Sequence, residues 1–170
     1  PYPYVVKIQG KVKELIAQHR SSVFDTWLEQ DKISCLPNYA LPAVISPTAF
    51  TSMVPKSLYT AEEDMNEYEF KVVWALSELG NVKWWHRNIS RLGFQINGPV
   101  HAYPDIIVML HSGKILMVET KGDHLDNDES KEKAKIGDQW AKLAGKQYKY
   151  YMVFETKQPD YLGAYSLERF

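Results

Sequence analysis

Asp105 and Glu119 lie fourteen positions apart, each at the edge of an apolar run. Tyr103-Pro104-Asp105 leads into Ile106-Ile107-Val108-Met109-Leu110, and Ile115-Leu116-Met117-Val118 leads into Glu119-Thr120-Lys121. Between the runs stands His111-Ser112-Gly113, which has the composition of a hairpin turn. Two carboxylates and a lysine gathered by a hairpin are what metal-dependent phosphodiester cleavage needs. Converging carboxylates are costly unless a cation neutralises them. An all-oxygen donor set suits Mg²⁺, with Mn²⁺ as a substitute. Such an ion lowers the pKa of a water and stabilises charge on phosphate oxygens. Asp105 and Glu119 are the expected ligands, with the Thr120 carbonyl as a further donor. Lys121 would act as a point charge, orienting the attacking water or offsetting charge in the transition state.

The turn decides whether these groups meet. A three-residue turn of His111, Ser112 and Gly113, with Gly113 left-handed, pairs Leu110 with Lys114 and sets Asp105 opposite Glu119. Side chains alternate along a strand, so Glu119 and Lys121 then share a face with Asp105. A two-residue turn would pair Asp105 with Thr120 and turn the acid to the other face. An odd loop or a compensating bulge is therefore required. Thr120 is expected to face away, its side chain in the core.

The elements that must position the site follow from periodicity. Val12, Leu15, Ile16, Val23, Phe24, Trp27 and Leu28 predict an amphipathic helix over 11–31. Prolines 37, 42, 47 and 55 mark an irregular connector. Met65, Tyr68, Val72, Leu76 and Leu79 predict a helix over 61–79, stopped at Gly80-Asn81. Strands are expected at 82–88 and 92–97 with a turn around Ser90, then at 102–110 and 114–121, where unbroken apolar runs suggest burial on both faces. A polar loop at 122–130, a helix at 130–145 and a strand at 148–154 complete the order. The expected division is 1–60, an amphipathic helix and proline-rich connector, and 61–170, an α/β domain.

Composition sets limits. A chain of 170 residues with 45% hydrophobic content can build a core without disulfides, and its single cysteine, Cys35, allows neither a disulfide framework nor a cysteine-rich zinc site. No eighteen-residue apolar run and no signal peptide is visible, so a cytoplasmic protein with no membrane partner is expected. The chain starts at Pro1 and is expected to be a piece of a longer protein. A net charge of −1 is unlike a free-standing nucleic-acid binder, whose footprint is basic. Lys131, Lys133, Lys135, Lys142, Lys146 and Lys149 form the one basic stretch, which reads as a solvated helix face. Walker A, G-x-S-x-G and H-E-x-x-H motifs are lacking.

Helix, strands bearing Pro-Asp and Glu-x-Lys, helix, strand: over about 61–155 this order resembles the PD-(D/E)XK nuclease superfamily. Tyr103-Pro104-Asp105-Ile106-Ile107-Val108, Val118-Glu119-Thr120-Lys121-Gly122 and Trp84-Trp85-His86-Arg87-Asn88 resemble the C-terminal nuclease domain of type III restriction-enzyme Res subunits and related helicase–nucleases. The resemblance implies a restriction-endonuclease-like core, a central mixed sheet of four or five strands in α-β-β-β-α-β order, with an N-terminal helical extension. It implies Asp105 and Glu119 as metal ligands and Lys121 as the catalytic lysine. A further glutamate on the first core helix is implied, with Glu69 the choice and Glu67 and Glu62 the competitors. Double-stranded DNA would be the substrate and Mg²⁺ the cofactor. ATP would enter only through an upstream helicase or translocase domain of the same polypeptide, and a methyltransferase subunit would be a partner.

Other residues near these strings are candidates for substrate contact. His86 and Arg87 could reach a phosphate, although alternation lets at most one do so easily. Lys135 and Gln139 lie one turn apart and could face the site. Trp84 and Trp85 read as core. The rivals are an inactive nuclease fold used for binding, and an interaction domain whose working surface is the 11–31 helix. An RNA or single-stranded substrate also fits phosphate chemistry.

Overall fold

The computed structural model describes residues 2–35, 37–49, 53–89 and 91–170. The order of its longer elements is α1 (Pro3–Glu29), α2 (Glu67–Glu78), β1 (Val82–Arg87), β2 (Ile106–Leu110), β3 (Ile115–Lys121), α3 (Asp128–Ala144), β4 (Tyr148–Phe154) and β5 (Ala164–Ser166). The strands form one mixed sheet in the order β1-β2-β3-β4-β5. Strand β2 runs antiparallel to its neighbours β1 and β3; β3, β4 and β5 run parallel. Helix α3 makes the crossover that a parallel β3–β4 pair demands. The chain is thus an α/β protein.

Helix α1 begins eight residues earlier than expected, with Pro3 in its first turn, where the lost N–H has no helical partner. None of its residues is buried. Val12, Leu15, Ile16 and Trp27 are exposed, and its C-terminal half is tied to α3 through Asp25–Lys135 at 3.0 Å and Ser21–Glu132 at 3.2 Å.

Helix α2 starts at Glu67, not at 61, because Asn66 caps it. The Asn66 side chain accepts the Glu69 N–H at 2.9 Å, and the Glu69 carboxylate accepts the Asn66 N–H at 3.0 Å. The preceding residues are engaged at the sheet. Ser57 bridges to Trp85, and the Leu58 N–H donates to the Trp85 carbonyl at 2.8 Å, covering the outer edge of β1. Val54 and Glu62, on either side of residue 60, are both buried.

The strand expected at 92–97 does not form. Asn88 takes the Phe94 N–H on its Oδ1 at 2.7 Å and donates from Nδ2 to the Phe94 carbonyl at 2.8 Å, which removes the groups a strand would pair. Only Ile96 bridges, to Ala102. The turn expected around Ser90 lies outside the described residues. The strand expected at 102–110 is shorter, starting at Ile106, and β5 was not foreseen because three residues carry no periodic signal. Among the described residues no helix is long and apolar enough to cross a membrane.

Two apolar layers cover the sheet. Ile107, Met117, Tyr150, Met152 and Phe154 pack with Ala134, Ile136 and Trp140 of α3. Ile106, Val108, Val118 and Val153 pack with Val72, Val73 and Leu76 of α2. Burial on both faces explains why β2 and β3 read as continuous apolar runs.

Candidate active site

The hairpin adopts the three-residue turn. The Leu110 N–H donates to the Lys114 carbonyl at 2.8 Å, the Gly113 N–H to the Leu110 carbonyl at 3.0 Å, and Gly113 sits at φ +82°. Ile106 pairs with Val118, so the same register sets Asp105 opposite Glu119. Asp105, Glu119 and Lys121 are in phase with Ile107 and Met117, on the α3 side of the sheet.

Proline opens the hairpin at this end. With Leu110 and Lys114 a hydrogen-bonded pair, alternation makes Pro104 and Thr120 another. Pro104 has no N–H, so the Thr120 carbonyl receives no ladder bond from it. The Pro104 carbonyl is taken by Asn88 Nδ2 at 2.7 Å. The Thr120 N–H donates instead to Asp105 Oδ2 at 2.7 Å, and its hydroxyl donates to the same oxygen at 2.8 Å. The Thr120 side chain is therefore not merely core: it bends back to hold Asp105. Burial pushes the Asp105 carboxyl up to about 6; the Thr120 N–H works against this, and the charges of Glu119 and Glu69 add to it.

Glu119 is 2% exposed and fully engaged. Its Oε2 accepts the Tyr150 hydroxyl at 2.5 Å. Its Oε1 lies 2.5 Å from Lys121 Nζ and 3.9 Å from Lys133 Nζ. Lys133, on α3, also meets Glu129 at 2.9 Å. Burial disfavours the Lys133 ammonium, but Glu129, Glu119 and Asp105 outweigh it and hold that proton more tightly than in an ordinary lysine. Burial, with Glu119 beside it, raises the Tyr150 hydroxyl far above the usual range, so it acts as a fixed donor.

The parallel β3–β4 pairing sets Tyr150 on Glu119, and Gly137 leaves room for its ring under α3. A Cβ at Gly137 would lie 2.2 Å from the Tyr150 ring. Gly137→Ala is expected to cost about 2 kcal/mol through overpacking, read from urea unfolding. Unchanged stability would mean that the ring moves aside freely.

Among the candidate helix glutamates, Glu69 comes nearest in effect, since its charge acts on Asp105. It also caps α2 and pairs with Arg87 at 2.9 Å, both contacts falling on Oε2. Glu67 is exposed. Glu62 precedes α2 and is consumed by Ser57 at 2.8 Å, His86 at 3.0 Å and the Arg87 N–H at 3.2 Å.

The substrate contacts expected from sequence are not assembled. His86 is 1% exposed, bonded to Glu62 and packed edge-on against Tyr59. Arg87 braces β1 against α2 through Glu69 and the Asp64 carbonyl. Lys135 faces α1 and pairs with Asp25. Gln139 lines a cavity of about 360 Å³ with Phe24, Tyr39 and Phe94, its Oε1 buried without a partner. Lys133, two residues before Lys135, is the α3 lysine at the carboxylates. It and Tyr150 were missed because both need tertiary pairing; the helical spacing of 130, 133, 134 and 137 was the available signal for Lys133.

The oxygen donors present, two carboxylates and a carbonyl without a ladder bond from its partner strand, fit a hard divalent cation. Among the described residues no group of three or more His, Cys, Asp or Glu side chains is gathered for one. Fold and site together define an α/β protein with an acidic pair and Lys121 at one end of the sheet, met by Lys133 from α3. No family model, curated protein or solved structure matches the chain.

Proposed function

We propose that this chain is a Mg²⁺-dependent endonuclease domain that hydrolyses phosphodiester bonds of double-stranded DNA. The observation that carries this reading is the register: a left-handed Gly113 and a ladder ended by Pro104 bring Asp105, Glu119 and Lys121 to one face. The element order α2, β1 to β3, α3, β4, preceded by α1, supports this reading. A divalent ion there would supply Lewis acidity toward the phosphate oxygens and an activated water.

The chain's own groups account for the rest. Asp105, Glu119 and the Thr120 carbonyl would hold the cation, and Thr120 and Tyr150 fix the two carboxylates. Lys121, which pairs with Glu119 at 2.5 Å, would offset charge on the phosphate. The cytoplasmic setting, the upstream ATP-driven helicase or translocase domain and the methyltransferase subunit belong to the same proposal. A near-neutral domain suits delivery to DNA by such partners.

One observation favours a second reading, an inactive nuclease-like module that binds DNA or protein. Each carboxylate oxygen of Glu119 already has a partner, and Asp105 is satisfied by Thr120. Supercoiled plasmid incubated with the chain and Mg²⁺ separates the two. Nicking that EDTA stops and Lys121→Ala slows by about a hundredfold is expected. Equal nicking by Lys121→Ala would remove the lysine from the chemistry, and no nicking by the chain in Mg²⁺ or Mn²⁺ would favour the inactive module.

A further inference from the structure

We propose that Lys133 of α3 is a second basic group of the site, which leaves the carboxylates to contact the substrate phosphate. This rests on the nuclease reading above and adds a residue to it. Lys133 projects from a helix whose start is fixed: the Asn127 side chain accepts the Ser130 N–H at 3.0 Å, and the Ser130 hydroxyl donates to the Leu125 carbonyl at 2.6 Å. Its side chain is 20% exposed and its ammonium lies between Glu129 at 2.9 Å and Glu119 at 3.9 Å.

The two neighbours differ in kind. Glu129 is 68% exposed at its side chain and one turn away on the same helix, a solvent-screened partner that gives up a lysine at little cost. Glu119 is buried, and Lys121 already neutralises it at 2.5 Å. A divalent cation on Asp105 and Glu119 would repel both ammonium groups. Lys121 is held on β3 against Glu119 at 2.5 Å, whereas Lys133 comes from α3 and lies farther from Glu119, at 3.9 Å. A phosphate at the carboxylates would be within reach of its partly exposed side chain. Lys135, two positions on, points to Asp25 and cannot share the task.

The test uses Lys133→Met and Lys133→Arg, with Mn²⁺ binding followed by calorimetry and binding of a short duplex in EDTA followed by fluorescence anisotropy across a salt series. Lys133→Met is expected to bind Mn²⁺ several-fold more tightly, since a competing cation is gone. It should bind duplex about fivefold more weakly, with the salt slope reduced by about 1. Lys133→Arg should restore duplex binding and the slope. An unchanged duplex affinity and slope in Lys133→Met would overturn the inference, as would weaker Mn²⁺ binding, which marks a purely structural lysine. The nuclease reading is judged separately by Asp105→Ala. If that variant and Glu119→Ala both keep Mn²⁺ binding, the carboxylates are not ligands and both ideas fall; if they lose binding while Lys133→Met matches wild type, only Lys133 is excluded.

Discussion

Asp105→Ala and Glu119→Ala are each expected to abolish Mg²⁺ binding in calorimetry and to lower DNA cleavage by about a thousandfold or more. The two losses have different physical content. Asp105 is placed by Thr120, whose N–H and hydroxyl both donate to one oxygen, so removing it deletes a donor and strands two hydrogen-bond donors. Glu119 is the hub of a small network of Tyr150, Lys121 and Lys133. Its loss leaves two ammonium groups facing each other, so the variant repels the cation as well as lacking a ligand. Lys121→Met is the contrast. It removes a charge that competes with the ion, so Mg²⁺ binding should be kept or tightened while turnover collapses. Retained binding in both carboxylate variants would rule out this site as the metal centre.

The second large effect is on stability and runs against function. Asp105 has a folded pKa of about 6, above its ordinary value of 3.8, with burial as the main cause. Between those values the folded chain holds a proton that the unfolded chain has released, so stability falls as pH rises through this window. Above it the deficit is constant, on the order of 3 kcal/mol. Asp105→Asn keeps an acceptor for the Thr120 donors and removes the charge. In EDTA it is expected to be more stable than the wild type by about 2 kcal/mol at pH 7.5, allowing for imperfect amide geometry. The gain should vanish near pH 4. Urea unfolding at the two pH values reads it directly. Mg²⁺ should narrow the gap at pH 7.5 by stabilising the wild type alone. An Asp105→Asn variant no more stable than the wild type at pH 7.5 would mean that Thr120 already compensates the carboxylate fully.

The layout of the site depends on residues with no chemistry of their own. Asn88 is 1% exposed; it ties the Phe94 backbone to the Pro104 carbonyl, and its N–H holds the Asp105 carbonyl at 2.8 Å. The strand end that carries the acid is therefore positioned from β1. Arg87, one residue earlier, locks β1 to the cap of α2. His86 and Arg87 look like substrate-facing residues in sequence because they are polar and follow two tryptophans. In the fold they and Asn88 join three elements around the acid.

The sequence by itself determined what is local or periodic. The β2–β3 hairpin, its odd turn and the shared face of Asp105, Glu119 and Lys121 follow from alternation and from one glycine able to take positive φ. The existence of α1, α2, α3 and β4 follows from apolar spacing. Tertiary structure decided whatever depends on partners distant in the chain. Asn88 captured the Phe94 backbone and cancelled a strand; the edge of β1 drew residues 57 and 58 beside it and delayed α2 to the Asn66 cap. The parallel pairing of β4 with β3 put Tyr150 on Glu119, and the close approach of α3 at Gly137 selected Lys133 over Lys135 and Gln139 as the helix residue at the site. Hydrogen bonds and ion pairs are satisfied by whichever group the packed chain brings within about 3 Å, and periodicity along one segment carries no information about that choice.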